Sequence, residues 1–424
     1  MQREQGYKMM SEYFDDKERL SPRERQGEQD RRLSEMIRLG YEKSKRVREI
    51  FEELNLSPAD IATVSDLGRL PVISRERLIE WELKEPPFGG FSGTDIKADR
   101  IFTSPGPVYE PHLTESDRLW ARGYYAAGFR ESDIVINTFL YHMVAAGLTF
   151  HEGLRAVGAT VVPSGTSSTE NQVQLINDLG VTGYTGTPSF LKTIIDKAEE
   201  GGYDVKRDFK LKRACFVAEP LEKSLREIFE EKYGIDTYQM YGATEVGDIA
   251  YECREKRGWH LCEDVIVEIV DPETGICVKP GNLGEVVVTR LNALFFLFRF
   301  GTGDLSRLIE GECPCGRTSW RLDGIAGRIG DAVKVRGMFI ASSQLRKIKE
   351  YLTDNPFQIV VTRESHKDYV TVRIESDRDN QDLMERFKDT FREVCAIKVD
   401  ACEIVKPGSV PEGGSVIEDK REWD

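Results

Sequence analysis

Between Asp133 and Tyr238 the chain trades short β-branched runs for helix-like segments several times over, and no other feature narrows its folds so far. Ile134-Val135-Ile136 gives way to a segment of helical character through Gly153 to Val157, and then comes Ala159-Thr160-Val161-Val162. Strands separated by helices imply a parallel sheet with helices packed on it. Ser168 to Leu179 fits such a cover: small hydroxylated residues open it, Gly180 closes it, and Val173, Ile176 and Leu179 form its core stripe. Arg213 to Ala218 reads as a further strand and Leu221 to Tyr233 as the helix after it.

Directly after this region, Tyr241-Gly242-Ala243-Thr244-Glu245 sets an aromatic ring, a flexible glycine, a hydroxyl and a carboxylate side by side. These are parts for a nucleotide site: a tyrosine face covers a purine, glycine admits close backbone approach, and Glu245 offers a hard oxygen for Mg²⁺. The same five residues also suit an ordinary strand-to-loop transition. Asn137 to Met143 leaves the first strand at its carboxyl end, where open α/β sheets keep their ligand crevice. Tyr141 and His142 there either line that crevice or are a pair of half-buried side chains.

At 424 residues the chain exceeds one typical core, so two domains are expected. The net charge of -14, with no basic patch, argues against nucleic acid or an anionic membrane as partner. The longest apolar run, Ala293 to Phe298, is too short to span a bilayer, and the expected location is the cytoplasm. Eight cysteines in such a length make no disulfide scaffold. Cys253, His260, Cys313 and Cys315 suit a tetrahedral, structural Zn²⁺, with Cys262 as a competing ligand; the alternative is a set of reduced cysteines in loops.

Residues 1–40 are dense in charge and read as a peripheral helix or a partly ordered arm. Val47, Ile50, Phe51 and Leu54 then recur at helical spacing, Ser57-Pro58 looks like a cap, and Ser74 starts another helix; neither helix carries evident chemistry. A strand from Phe295 to Phe300 should lead into a turn at Thr302-Gly303-Asp304. Strands near 357–362 and 369–374, a helix over 381–394 and a strand over 397–405 predict a small α+β unit at the C-terminus.

In their order, Ala218-Glu219-Pro220, Tyr241 to Glu245, Thr302-Gly303-Asp304 and Gly327-Arg328-Ile329-Gly330-Asp331, running on into Lys334-Val335-Arg336-Gly337, resemble the core motifs of the acyl-adenylate-forming enzymes. Val162-Pro163-Ser164-Gly165, Glu170 to Ile176 and Thr187-Pro188-Ser189 extend the resemblance to the phenylacetate-CoA ligase branch, over roughly residues 45–420. The resemblance implies an α/β fold: a large N-terminal domain of mostly parallel β-sheets covered by helices, over 41–327, and a small mobile α+β C-terminal domain, over 328–424, pivoting near Gly330. It implies ATP, Mg²⁺ and CoA as cofactors, and a carboxylic acid, aromatic by expectation, as substrate. A homodimer is left open. The alternatives are adenylyl transfer to an acceptor other than CoA, or a non-catalytic relative that binds nucleotide.

Residue by residue, the resemblance makes Ala218, Glu219 and Pro220 one wall of the adenine pocket, with Tyr241 opposite and Gln239 facing the purine amino group. Asp304 would bind the ribose hydroxyls, and Arg328 the ribose or phosphate. Glu245 would hold Mg²⁺ and Thr244 stand near the phosphate. Two stretches depart from the family. Thr103, Ser104 and Gly106 sit where a phosphate loop is expected, but Pro105 and Pro107 lack amide hydrogens and Glu110 brings negative charge. That loop is either reshaped around ATP or eroded. The adenylation lysine is expected after a glycine near the C-terminus, where Pro411 to Arg421 offers only Lys420; this serves catalysis if re-registered, and is otherwise an exposed tail residue.

Overall fold

Five strands of the central region pair in parallel, in the order Thr160–Val162, Ile134–Asn137, Gly183–Gly186, Arg213–Phe216 and Asp236–Ala243. Helices Ala146–Val157, Thr169–Asp178 and Pro188–Glu200 make crossovers between them. The computed structural model describes residues 12–93, 97–104, 108–282, 284–329, 333–336, 338–340, 345, 348–349, 355–377, 380–395, 397–410 and 417–421. Val173 and Ile176 are buried as expected, but Leu179, past the end of its helix, is exposed.

After Asp236–Ala243 the pairing changes sense. Only three residues separate Ala243 from Gly247, too few for a crossover helix, so Gly247–Glu252 folds straight back antiparallel with Gly247 in the left-handed region. Trp259–Leu261, Arg321–Leu322 and Leu308–Ile309 extend this half and complete a nine-stranded sheet. Parallel pairing thus holds for one half of that sheet, not most of the strand pairs. The second sheet, Ile73–Ser74, Phe300–Ser306, Gly284–Arg290 and Val265–Val270, is largely antiparallel, with Gly327–Arg328 added on Phe300–Ser306.

The strand expected at Phe295 to Phe300 begins only at Phe300. Phe295, Phe296 and Leu297 are instead buried as an apolar plug, Phe295 against the Phe91 ring. Asp304 accordingly lies within a strand, opposite Arg328, rather than in a turn. At the C-terminus, Phe357–Glu364 and Lys367–Glu375 form a hairpin flanked by Ala401–Val405 and Ile417–Asp419. The helix Gln381–Cys395 lays Leu383, Phe387, Phe391 and Cys395 on this sheet, giving the unit its own core. Gly330 and Asp331 lie outside the described residues.

The N-terminal helix Pro22–Lys43 starts at a Ser21–Glu24 capping box and buries Leu33 and Ile37 in the main core. Charges of the N-terminal segment, Asp15 before this helix and Arg32 within it, have buried counterparts. Arg122, 2% exposed, pairs with Asp15 at 2.6 Å and Asp264 at 2.5 Å, while Arg32 reaches Asp264 at 2.8 Å. No helix among the described residues is long and apolar enough to cross a membrane.

Burial alone would raise the Asp264 carboxyl, but Arg122 and Arg32 outweigh it and hold it down at about 2. A depressed carboxyl adds stability above its ordinary value of 3.8 that is lost as pH falls toward about 2. Asp264→Ala is expected to cost about 3–5 kcal/mol in urea unfolding at pH 7, and the variant should be less acid-sensitive than wild type through that window.

Candidate active site

The central loop stands at the seam between the parallel and antiparallel halves, and Gly242 is fixed there by space. A Cβ on it would lie 2.4 Å from the Gly247 carbonyl oxygen and 2.4 Å from the Trp120 ring. Thr103 and Ser104, expected in a phosphate loop, end the strand Arg100–Ser104, which pairs with Val108–His112 as a hairpin; Gly106 lies outside the described residues. Strand alternation turns Ser104 inward and Thr103 away from it. The Ser104 hydroxyl donates to Glu110 Oε1 at 2.7 Å and stands 3.5 Å from the Thr244 hydroxyl. His112 bridges Asp117 at 2.8 Å and the Thr244 carbonyl at 3.3 Å, so hairpin and central loop are joined.

Beneath the hairpin, Glu82, Glu110 and Glu245 are only 2%, 3% and 2% exposed. Arg75 pairs with Glu245 at 2.8 Å, and Glu82 accepts the Tyr109 amide at 3.0 Å. Glu82 Oε1 and Glu110 Oε2 take no hydrogen bond among the described residues. Burial, with the charges of Glu110 and Glu245, pushes the Glu82 carboxyl up to about 8; burial and Glu245 push Glu110 up to about 7. A phosphate entering here meets carboxylates, so a proton or a cation must accompany it. Arg75 and Glu82 both belong to the helix Arg75–Lys84, capped by Ser74, which therefore does carry site chemistry. The signal in sequence was slight: Glu82 holds a core-facing helical position, which an unpaired carboxylate seldom occupies.

Across the seam, three expected nucleotide residues touch one another. Tyr241 donates to Asp304 Oδ2 at 2.8 Å, and Arg328 Nε meets Asp304 Oδ1 at 2.7 Å. Tyr241 also reaches the Thr302 hydroxyl at 3.2 Å, and burial drives its phenol well above the usual range. Ala218 has φ 77°, a conformation rare without glycine, in the segment expected to face adenine. Glu219 accepts from Ser189 at 2.6 Å, Pro220 is exposed, and Gln239 gives its carbonyl to the Leu221 amide at 2.8 Å. Gln239 thus fixes the segment rather than presenting that oxygen to a purine.

Tyr141 is half-buried with its hydroxyl 3.1 Å from His151 Nδ1, whereas His142 is exposed. Beside them Phe139 and Trp120 each pack on Phe150, with ring centroids 4.8 Å apart. Lys420 is not brought to this cluster. Its ammonium is 3.1 Å from Glu418 with a side chain 51% exposed, and its amide caps the C-terminal sheet at the Val361 carbonyl.

The four metal-ligand candidates converge. Donor atoms of Cys253, His260, Cys313 and Cys315, all buried, lie within 4.8 Å of one another. Cys253 and Cys313 sulfurs are 3.7 Å apart, and His260 Nε2 is 3.4 Å from Cys315. Two sulfurs bound to one tetrahedral zinc stand about 3.8 Å apart, so the donor set fits that ion. Hydrogen bonds from Cys253 and His260 hold the Cys315 thiol well below the usual range. His260 Nδ1 is 3.3 Å from Ser319, which orients the ring. Cys262 faces Asp248 instead and is not among the four. The N-terminal segment straps the cluster: Tyr13 donates to the Cys315 carbonyl at 3.1 Å, and Glu18 pairs with Arg317 at 2.6 Å.

Wild type must keep on Glu82 a proton that the unfolded chain releases above 4.5, so a folding penalty grows as pH climbs from 4.5 to about 8. Glu82→Gln removes it. Its stability gain over wild type is expected to be near zero at pH 4.5 and on the order of 4 kcal/mol at pH 8, read from urea midpoints; a gain that does not grow with pH contradicts the buried carboxyl.

A family model described as AMP-binding enzyme matches residues 115–294. The phenylacetate-coenzyme A ligase of Thermus thermophilus is 31% identical over 82% of this chain and 80% of its own length. That of Aromatoleum evansii is 32% identical over 84% and 83%, and that of Escherichia coli 30% over 93% and 94%. Among solved structures, 2-hydroxyisobutyryl-CoA ligase with its acyl-AMP and CoA in the thioesterification state superposes with a TM-score of 0.90, at 23% identity, over 97% of this chain and 93% of that one. The same ligase in its postadenylation state, with equal identity and coverage, gives 0.73. The Tyr241, Asp304 and Arg328 cluster therefore sits in a shared α/β framework, and by identity and coverage the chain belongs to the phenylacetate-CoA ligase family of acyl-adenylate-forming enzymes.

Proposed function

We propose that the protein couples ATP to the activation of a carboxylic acid and passes the acyl group to CoA. In the first step a carboxylate oxygen attacks the α-phosphorus, an O–P bond forms, and pyrophosphate leaves. In the second the CoA sulfur attacks the acyl carbon, gives up its proton, and AMP leaves. The observation that carries this reading is the closed contact of Tyr241, Asp304 and Arg328 beside the buried Glu245.

In this reading Asp304 accepts the ribose hydroxyls, Arg328 offsets charge that develops at the phosphate, and Thr244 with Ser104 borders the transferred group. Mg²⁺ would supply Lewis-acid neutralisation of the triphosphate; Glu245 is its expected ligand, with Glu82 and Glu110 giving the hairpin a net demand for cation. The Trp120, Phe139 and Phe150 rings near Tyr141 favour an aromatic acid. Cys253, His260, Cys313 and Cys315 would hold a structural Zn²⁺ with no open position, tying neighbouring loops of the antiparallel half. The acidic hairpin favours one other reading, a relative that binds nucleotide without turnover.

Acid-dependent exchange of labelled pyrophosphate into ATP, screened over aryl and short-chain acids with Mg²⁺, is expected to be strongest with an aryl acid and to fall at least about 100-fold in Glu245→Gln and Asp304→Ala. No exchange from protein that still binds AMP by calorimetry would decide for the binding reading. Metal analysis is expected to find one zinc per chain, lost in Cys313→Ser with a lower melting temperature; a zinc-free wild type of equal stability contradicts the staple.

A further inference from the structure

The turn of the C-terminal hairpin reaches back onto the large domain. Its residues Ser365 and His366 hold φ of 47° and 65°, the left-handed pair that a two-residue turn between Glu364 and Lys367 requires. This conformation aims His366 Nδ1 at Glu222 Oε2, 2.5 Å away, while the Arg363 guanidinium pairs with Glu222 Oε1. The Glu222–Arg363 pair is dry, with side chains 6% and 5% exposed, and His366 closes its rim at 20%. Behind it Asp368 binds Arg363 at 2.8 Å and Arg421 at 3.1 Å, so the cationic face is fixed within the C-terminal unit.

Glu222 is equally fixed on its own side. It precedes the helix Lys223–Glu227, two residues after Pro220, in the segment that Gln239 and Ser189 hold at Leu221 and Glu219. The TM-scores bear on what the contact does. One ligase in two states matches this chain at 0.90 and 0.73 with the same identity and coverage, so what separates the two values is arrangement, and the arrangement here is the thioesterification one.

We propose that Glu222, Arg363 and His366 form a latch that holds the C-terminal unit in the thioester-forming arrangement, acting as positioning residues for the second half-reaction. The inference rests on the acyl-CoA ligase reading above. A buried carboxylate shared by a guanidinium and an imidazole from the other domain is a contact that must be desolvated on closing and rehydrated on opening, so it acts on one arrangement only.

The test uses the full chain with Glu222→Gln, His366→Gln and the double variant. Pyrophosphate exchange is expected to stay within about twofold of wild type, while single-turnover thioester formation from preformed acyl-adenylate slows about tenfold. The double variant should lose no more than the stronger single one. Hydrogen exchange of the 363–368 amides, measured without substrate, should quicken in Glu222→Gln. Thioester formation at the wild-type rate, or exchange falling in step with it, overturns the latch. Should wild type catalyse no exchange, the ligase reading fails, and unchanged amide protection in Glu222→Gln would sink the latch separately.

Discussion

The three-residue return between Ala243 and Gly247 is the constraint on which the rest hangs. It is too short for a helix, so the chain must reverse there, and the reversal places a parallel and an antiparallel half on either side of Asp236–Ala243. Trp120 and the Gly247 carbonyl press on Gly242 so closely that no side chain fits. With the loop so pinned, Tyr241 faces Asp304 on the second sheet, Thr244 and Glu245 face the hairpin, and the strand that follows delivers Cys253 to the cysteine cluster. One backbone event thus orients the Tyr241–Asp304 contact and the cysteine cluster together.

Electrostatics gives the hairpin its character. Three carboxylates are buried near one another, and Arg75 pairs with Glu245. Such a group is tolerable only with protons retained or a cation present, which is what the raised Glu82 and Glu110 values express. A conventional phosphate loop relies on amide donors and a lysine; here prolines and Glu110 occupy that stretch. In the proposed reaction a cation that balances triphosphate charge would come from elsewhere, which would link nucleotide binding to divalent metal.

Much of this was legible in sequence because it follows from local rules. The alternation over 133–238 gave parallel strands, Ser74 capped its helix, and the order of four motifs brought Tyr241, Asp304 and Arg328 to one place. The four metal candidates met despite their wide spacing in the chain. What escaped was long-range. Arg75 and Glu82 face Glu245 and the hairpin from a helix with no motif, and the latch joins residues 144 apart. The Phe295 to Leu297 run, strand-like in composition, was taken by the core as a plug, because burial of aromatic surface outweighed β-pairing there. Lys420 was singled out by position alone, and its neighbour Glu418 claims it.

In the proposed reaction this site joins a carboxylate oxygen to the α-phosphorus of ATP in spite of its acidic hairpin. That step is tested most directly with an acid carrying ¹⁸O in its carboxylate, turned over with ATP, Mg²⁺ and CoA, followed by mass analysis of the AMP. Adenylation of the acid predicts one ¹⁸O transferred to the AMP phosphate for each thioester formed. AMP free of label, or labelled only from the solvent, would contradict it.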